Sequence, residues 1–280
     1  MELRTPLVLI PGIQGRWEYM QPTVEALSSH FDVITFSLRG KRLEDYVDQI
    51  RGTLDERHVE RAVICGVSFG GVVALRFAAQ HPARTQALVL ASTPGPGWRL
   101  RSRHDLYARW PLIFGPLFLA EAPWRLRAEL AVTFPSARGR WAYGRRVLWT
   151  LLSAPVSLRS MAARARLIEQ CDARADCARV TAPTLIVTGD SQLDHVVPVG
   201  GSSEYARLIA GACSTTIERT GHLGSITRPG EFARAIAQFV ASNPGADPRV
   251  GRRPAQDAAN PGGKVGPGCQ GSAPTRDQVA

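Results

Sequence analysis

The amino-acid sequence predicts an α/β fold: a mostly parallel sheet of about six strands with helices on both faces, plus an inserted helical cap. Three observations lead there. Short apolar or β-branched runs alternate with segments of helical pattern, as they do when helices connect parallel strands. The runs are apolar throughout, as strands covered on both faces must be. The alternation stops after Ala91 and resumes at Pro183-Thr184-Leu185-Ile186-Val187, leaving a long segment of helical character alone.

Strands are expected at 7–10, 33–36, 62–65, 87–91, 184–188 and 214–218, and helices at 22–29, 42–57, 69–80, 202–209 and 229–241. In the helix that opens at Phe69, Val72, Val73, Arg76 and Phe77 fall near one face, and Pro82 follows its end, where proline cannot continue it. Thr93-Pro94-Gly95-Pro96-Gly97 is a loop signal. It opens a stretch rich in Arg and Trp that reads as the cap, with Trp98, Trp110, Trp124, Trp141 and Trp149 all within it. The cap's aromatic residues are expected either to hold it together or, several of them, to line an apolar substrate tunnel. The organisation is therefore a core of residues 1–97 and 181–242, a cap at 98–180, and a tail at 243–280. The Pro261-Gly262-Gly263 and Gly266-Pro267-Gly268 runs of that tail predict disorder.

Composition narrows the function. With 280 residues, 44% of them hydrophobic, the chain can bury an ordinary core. The first residues lack the apolar stretch of a signal peptide, and no run is long enough to span a bilayer, so a cytoplasmic location is expected. Five cysteines stand without metal-ligand spacing, and no metal or other cofactor is expected. The net charge is +10, and residues 98–180 supply most of it, with fifteen Arg against six Asp or Glu. No nucleic-acid reading element accompanies that charge, so nucleic acid is not an expected partner. A solvated basic face is the simplest account, and attraction to an anionic substrate or membrane surface is the alternative. The run from Trp110 to Ala122, apolar with arginines at both ends, suggests peripheral contact with an anionic membrane. Oligomeric state is not legible.

The strongest motif is Gly66-Val67-Ser68-Phe69-Gly70-Gly71, between a predicted strand and a predicted helix. A sharp strand-to-helix turn projects a serine hydroxyl clear of the backbone, and glycines beside it permit close approach of neighbouring chain. The helix start behind Ser68 adds free N–H groups. A hydroxyl still needs a base to become a nucleophile. Among six histidines, His222, in Thr220-Gly221-His222-Leu223-Gly224, sits straight after the last predicted strand, at the rim where parallel sheets bind ligands. His81 stands at the far end of the helix from Ser68, roughly 20 Å away at 1.5 Å per residue. His30, His58, His104 and His195 are less well placed.

With this motif the chain resembles the α/β-hydrolase family over about residues 5–242. The resemblance implies a nucleophile–acid–histidine order along the chain, with the acid after a late strand. Asp190 and Asp194 both qualify. Asp194-His195-Val196-Val197-Pro198 resembles the family's acid loop and favours Asp194, while the long gap after Gly189 keeps Asp190 as the alternative. The acid would hold the His222 tautomer and stabilise its imidazolium form. The resemblance also implies an oxyanion hole from the backbone N–H groups of Ile13 and Phe69. The family's usual His-Gly is Pro11-Gly12 here, which removes a bracing side chain but no donor. The antiparallel hairpin with which the family's sheet commonly begins is not expected before Thr5.

The expected activity is hydrolysis of a carboxylic ester or related acyl bond of a small or lipid-like substrate through an acyl-enzyme. Thioester, lactone and carbon–carbon bond cleavage and perhydrolysis are alternatives, as is a non-catalytic binding protein on the same scaffold. Haloalkane dehalogenase and epoxide hydrolase chemistry are disfavoured, because their nucleophile in this fold is aspartate.

Overall fold

Six parallel strands, β1 (Pro6–Ile10), β2 (Asp32–Thr35), β3 (Ala62–Val67), β4 (Thr85–Ala91), β5 (Thr184–Gly189) and β6 (Cys213–Ile217), form one sheet in a computed structural model that describes residues 4–243. The strand order is β2-β1-β3-β4-β5-β6. The chain steps outward from β1 to β2, crosses back to β3, and then proceeds in sequence to β6. The direction of winding therefore reverses between β1 and β3, and the loops at their carboxyl ends open a crevice there.

Side chains alternate across each strand, so two cores form. On one face Val8, Ile10, Ile64, Leu88, Leu90 and Ile186 pack against α2 (Leu43–Glu56) and α3 (Phe69–Gln80). On the other, Leu7, Leu9, Val63, Cys65, Val89 and Leu185 pack with residues of α1 (Gln21–Leu27) and of the closing helix Pro229–Ser242. Leu7 to Ile10 are fully buried, which is why β1 carries no polar residue after Pro6. β2 and β6 are the edges, and their burial is correspondingly partial.

Each predicted strand exists within two residues at either end. β3 runs two residues further than expected, because Gly66 and Val67 still pair with Leu90 and Ala91. α3 matches its predicted bounds and is buried almost all round. Arg76 is the exception on its expected apolar face: it leaves the core to pair with Asp176 and Glu44.

Between β4 and β5 the chain is helical: α4 (Ser102–Arg109), α5 (Pro111–Ala120), α6 (Ala122–Arg125), α7 (Arg127–Thr133), α8 (Ala137–Ser153), α9 (Leu158–Gln170) and α10 (Ala173–Cys177). The expectation for the tryptophans here needs correction. Aromatic packing does hold parts of the insertion, through Tyr107 with Phe114 and Phe118 and through Phe134 against Tyr143, and Trp98 packs on the core, but Trp110, Trp124, Trp141 and Trp149 are exposed.

The helix expected at 202–209 is two short ones, α11 (Val199–Ser203) and α12 (Tyr205–Leu208). The first begins directly after Pro198, which is extended, and Ser202 and Tyr205 are pinned by donating to the carbonyls of Thr93 (2.7 Å) and Pro94 (2.6 Å). α13 (Gly224–Thr227) and α14 (Pro229–Ser242) close the fold. The tail expected to be disordered lies, beyond Asn243, outside the described residues, as does Cys269. Cys65, Cys171 and Cys177 are free thiols; burial pushes Cys171 up to about 11 and Cys177 up to about 12, and raises Cys65 further.

Candidate active site

Ser68 occupies the turn between β3 and α3 with φ 56° and ψ −120°, a conformation that non-glycine residues adopt only under strain. Two backbone bonds hold it there: the Ser68 N–H donates to Ala91 (2.8 Å) and the Gly71 N–H donates to the Ser68 carbonyl (2.9 Å). The flanking glycines are required by space. A Cβ on Gly66 would stand 2.1 Å from the Gly70 carbonyl oxygen, and one on Gly70 would stand 2.3 Å from that of Ile10. The turn can therefore press against both its own helix and the end of β1.

His222 lies in the loop between β6 and α13. Its Nε2 is 3.2 Å from Ser68 Oγ and its Nδ1 is 3.4 Å from Asp194 Oδ2. Backbone packing explains how Asp194 reaches it. A Cβ on Gly221 would stand 2.6 Å from the Leu193 carbonyl, so only glycine lets the histidine loop lie directly on the acid loop. Asp194 is almost fully buried, and its other oxygen accepts from the N–H groups of Val196 (3.0 Å) and Val197 (2.9 Å). Burial alone would raise its pKa. The hydrogen bond from His222, the charge of that ring, and the two amides outweigh burial and hold the carboxyl below its ordinary value.

Asp190, the alternative acid, is engaged elsewhere. Its carboxylate accepts from the Arg219 N–H (2.7 Å), and its backbone closes the turn to Leu193 and Asp194. The loop after β5 thus uses Asp190 to build the turn that carries Asp194. Of the other histidines, His81 caps the far end of α3 and His104 sits among Tyr107 and Phe118 in the insertion.

The turn after β1 is closed by the Gly15 N–H donating to Gly12 (2.9 Å) and carries Ile13. It abuts Ser68: a Cβ on Gly12 would be 3.5 Å from that of Ser68. Phe69 is the first residue of α3, so its N–H has no partner within the helix. A cavity of about 560 Å³ opens beside this turn, with Gln14, Gly15, Ser37, Leu38, Ser160 and Arg164 in its wall.

Two of the insertion's buried charges hold the loops around Ser68 and His222. Glu129 of α7 accepts from Thr220 Oγ1 (2.7 Å) and from the Leu223 N–H (2.9 Å), gripping the loop on both sides of His222. Arg164 of α9 donates to the carbonyls of Ile13 (3.0 Å), Gln14 (3.1 Å) and Leu38 (3.1 Å) and to the Tyr46 hydroxyl (3.3 Å). Nothing in the sequence separates these two from the other charged residues of an arginine-rich segment.

A serine held on a strained strand–helix turn, at the switch point of a parallel sheet and within reach of a histidine, defines a class of protein rather than one activity. The model of the alpha/beta hydrolase family matches residues 7–235, and the chain belongs to that family. Among its relatives, RutD of Yersinia enterocolitica, named for carbamate hydrolysis, is 24% identical over 260 residues, covering 85% of this chain and 88% of that protein. The 3-oxoadipate enol-lactonase 1 of Acinetobacter baylyi is 24% identical over 253 residues, covering 81% and 84%. The crystal structure of the enol-lactonase from Burkholderia xenovorans superposes with a TM-score of 0.68 at 22% identity, covering 85% of this chain and 92% of that one.

Proposed function

We propose that this protein is a serine hydrolase that cleaves carboxylic esters, lactones included, with Ser68 as nucleophile, His222 as general base and Asp194 as the acid that orients it. The observation that carries the proposal is the continuous path from Ser68 Oγ to His222 Nε2 and from His222 Nδ1 to Asp194 Oδ2, at 3.2 and 3.4 Å. Separations of this size suit a site that tightens when substrate binds.

With its proton on Nδ1, His222 donates to Asp194 and takes the Ser68 proton at Nε2. The serine oxygen adds to the substrate carbonyl carbon, and the carbonyl electrons move onto its oxygen. The N–H groups of Ile13 and Phe69 donate to that oxyanion, each worth about 3 kcal/mol. Collapse of the intermediate expels the alkoxide, which takes the proton from His222. His222 then deprotonates water, whose attack on the acyl-enzyme releases the acid and restores Ser68. A lactone, being a cyclic ester, passes through the same steps and gives one product. The names of the enol-lactonase relatives favour that substrate form.

Ser68→Ala tests the proposal. It should lower kcat on a p-nitrophenyl ester about 10⁶-fold, because members of such a triad act as a unit. It should also abolish labelling by a fluorophosphonate. Equal turnover by mutant and wild type would reject it, and an unlabelled wild type that turns over no ester would leave a binding protein on a hydrolase scaffold.

A further inference from the structure

Catalysis as proposed makes no use of α8. This helix has 17 residues and not one of them is buried. At 1.5 Å per residue it extends about 25 Å. Tyr143, Val147 and Leu151 turn one face inward, half-buried, while its exposed large apolar residues fall on a single opposite stripe. Trp141, Leu148, Trp149 and Leu152 stand at i, i+7, i+8 and i+11, the spacing of a face that belongs against something apolar. They are 79%, 57%, 71% and 72% exposed. α8 also carries Arg138, Arg140, Arg145 and Arg146 and no acidic residue, and Arg145, at i+4, lies within the stripe. Neighbouring parts of the insertion repeat the combination, with Trp110, Leu112, Ile113 and Trp124 exposed beside arginines.

We propose that the outer face of α8 is a docking surface for an anionic phospholipid bilayer, on which the helix lies flat. Charge complementarity selects this occupant. A second copy of the chain would bring arginines against arginines across the stripe, each insertion carrying fifteen Arg against six acids. A lipid surface accepts both components at once. Phosphate headgroups take the guanidinium groups, indole rings settle at the headgroup level, and leucines reach the acyl boundary. Seventeen residues with four arginines cannot cross a bilayer, and no helix among the described residues is long and apolar enough to do so. The surface is independent of the chemistry proposed for Ser68.

Co-sedimentation of the full chain with vesicles tests the inference. Vesicles of equal parts phosphatidylglycerol and phosphatidylcholine should bind the protein at least tenfold better than pure phosphatidylcholine. Raising the salt from about 0.1 M to about 1 M, which shortens the screening length from about 10 Å to about 3 Å, should remove most of that advantage. The combined variant Trp141→Ser, Trp149→Ser, Leu152→Ser should lose at least tenfold in binding. So should Arg138→Gln, Arg145→Gln, Arg146→Gln, which leaves in place Arg140, whose guanidinium is spent on the carbonyls of Phe134 and Pro135. Both should keep the wild-type circular dichroism spectrum and turnover of a soluble short-chain ester. Failure to bind anionic vesicles, equal binding to both compositions, or wild-type binding by the serine variant would overturn the proposal. So would a dimer in light scattering that the serine variant dissolves, which would assign the stripe to a second copy. Tighter binding to a duplex nucleic acid than to anionic vesicles would assign the charge to that partner instead.

Discussion

Glu129 reaches from the insertion to the catalytic rim and holds the residues on either side of His222. Its carboxylate is buried, and one oxygen takes both hydrogen bonds. Glu129→Leu leaves the Leu223 N–H unsatisfied, at about 1–3 kcal/mol. We expect kcat to fall about 10- to 100-fold with little change in KM, because the histidine loses its support while the substrate keeps its own contacts. Glu129→Gln keeps an acceptor oxygen and should restore most of kcat. Steady-state kinetics of the two variants check this, and equal loss in both would make the charge, not the geometry, the important property. The two aspartates of the acid loop separate in the same way. Asp194→Asn should cost about 10⁴ in kcat by favouring the wrong histidine tautomer, whereas Asp190→Asn touches only a turn. The depressed pKa of Asp194 adds a signature. A carboxyl held below its ordinary value stabilises the fold at pH above that value, and the contribution is lost as pH falls through the folded pKa. The stability gap between wild type and Asp194→Asn, read from urea denaturation, should therefore close as pH drops below about 4.

The β3–α3 turn shows what an element demands of its glycines. A methyl group at position 70 would collide with the carbonyl oxygens of Ile10 and Pro11, at 2.3 and 2.7 Å, and neither backbone can retreat without moving β1 or the turn that carries Ile13. Gly70→Ala should destabilise the protein by about 3 kcal/mol, as core overpacking does, measured by its urea midpoint. This element was legible in the sequence because each of its requirements leaves a local mark: an apolar strand, small residues at the crossing and an apolar helix. Helix 202–209 was less legible. The contacts that pin Ser202 and Tyr205 come from Thr93 and Pro94, more than a hundred residues away, and leave no periodic trace. The tryptophans of the insertion mislead for another reason: composition reveals that the rings are there but not what covers them, so rings that read as interior prove to be exposed. The loop motifs point to Asp194, by resemblance, and to His222, and the close approach of Gly221 to Leu193 is what lets the two loops lie together.

On the scale of the whole molecule, the insertion is tied to the sheet and its loops by a buried cation. Arg164 leaves α9, is 4% exposed, and ends among neutral acceptors: three backbone carbonyls and a phenol. Its guanidinium fills the space beside Gly15, whose φ of +70° turns the chain between β1 and the following helix. The carbonyls of Ile13 and Gln14 therefore have a partner only while α9 is seated on the core. Arg164→Met keeps much of the side chain's volume and removes every donor, leaving three carbonyls to be satisfied by water or by movement. We expect a loss of about 3 kcal/mol or more in urea denaturation. We also expect a fall in kcat, because the turn that carries Ile13 must hold its place when charge builds on the substrate oxygen. Arg164→Lys should rescue little of either. One ammonium on a flexible stem cannot span acceptors on two loops as a planar fork does. If the lysine variant instead recovers full stability and turnover, then positive charge alone suffices at this position. The coupling of insertion to oxyanion turn would then have to run through other contacts.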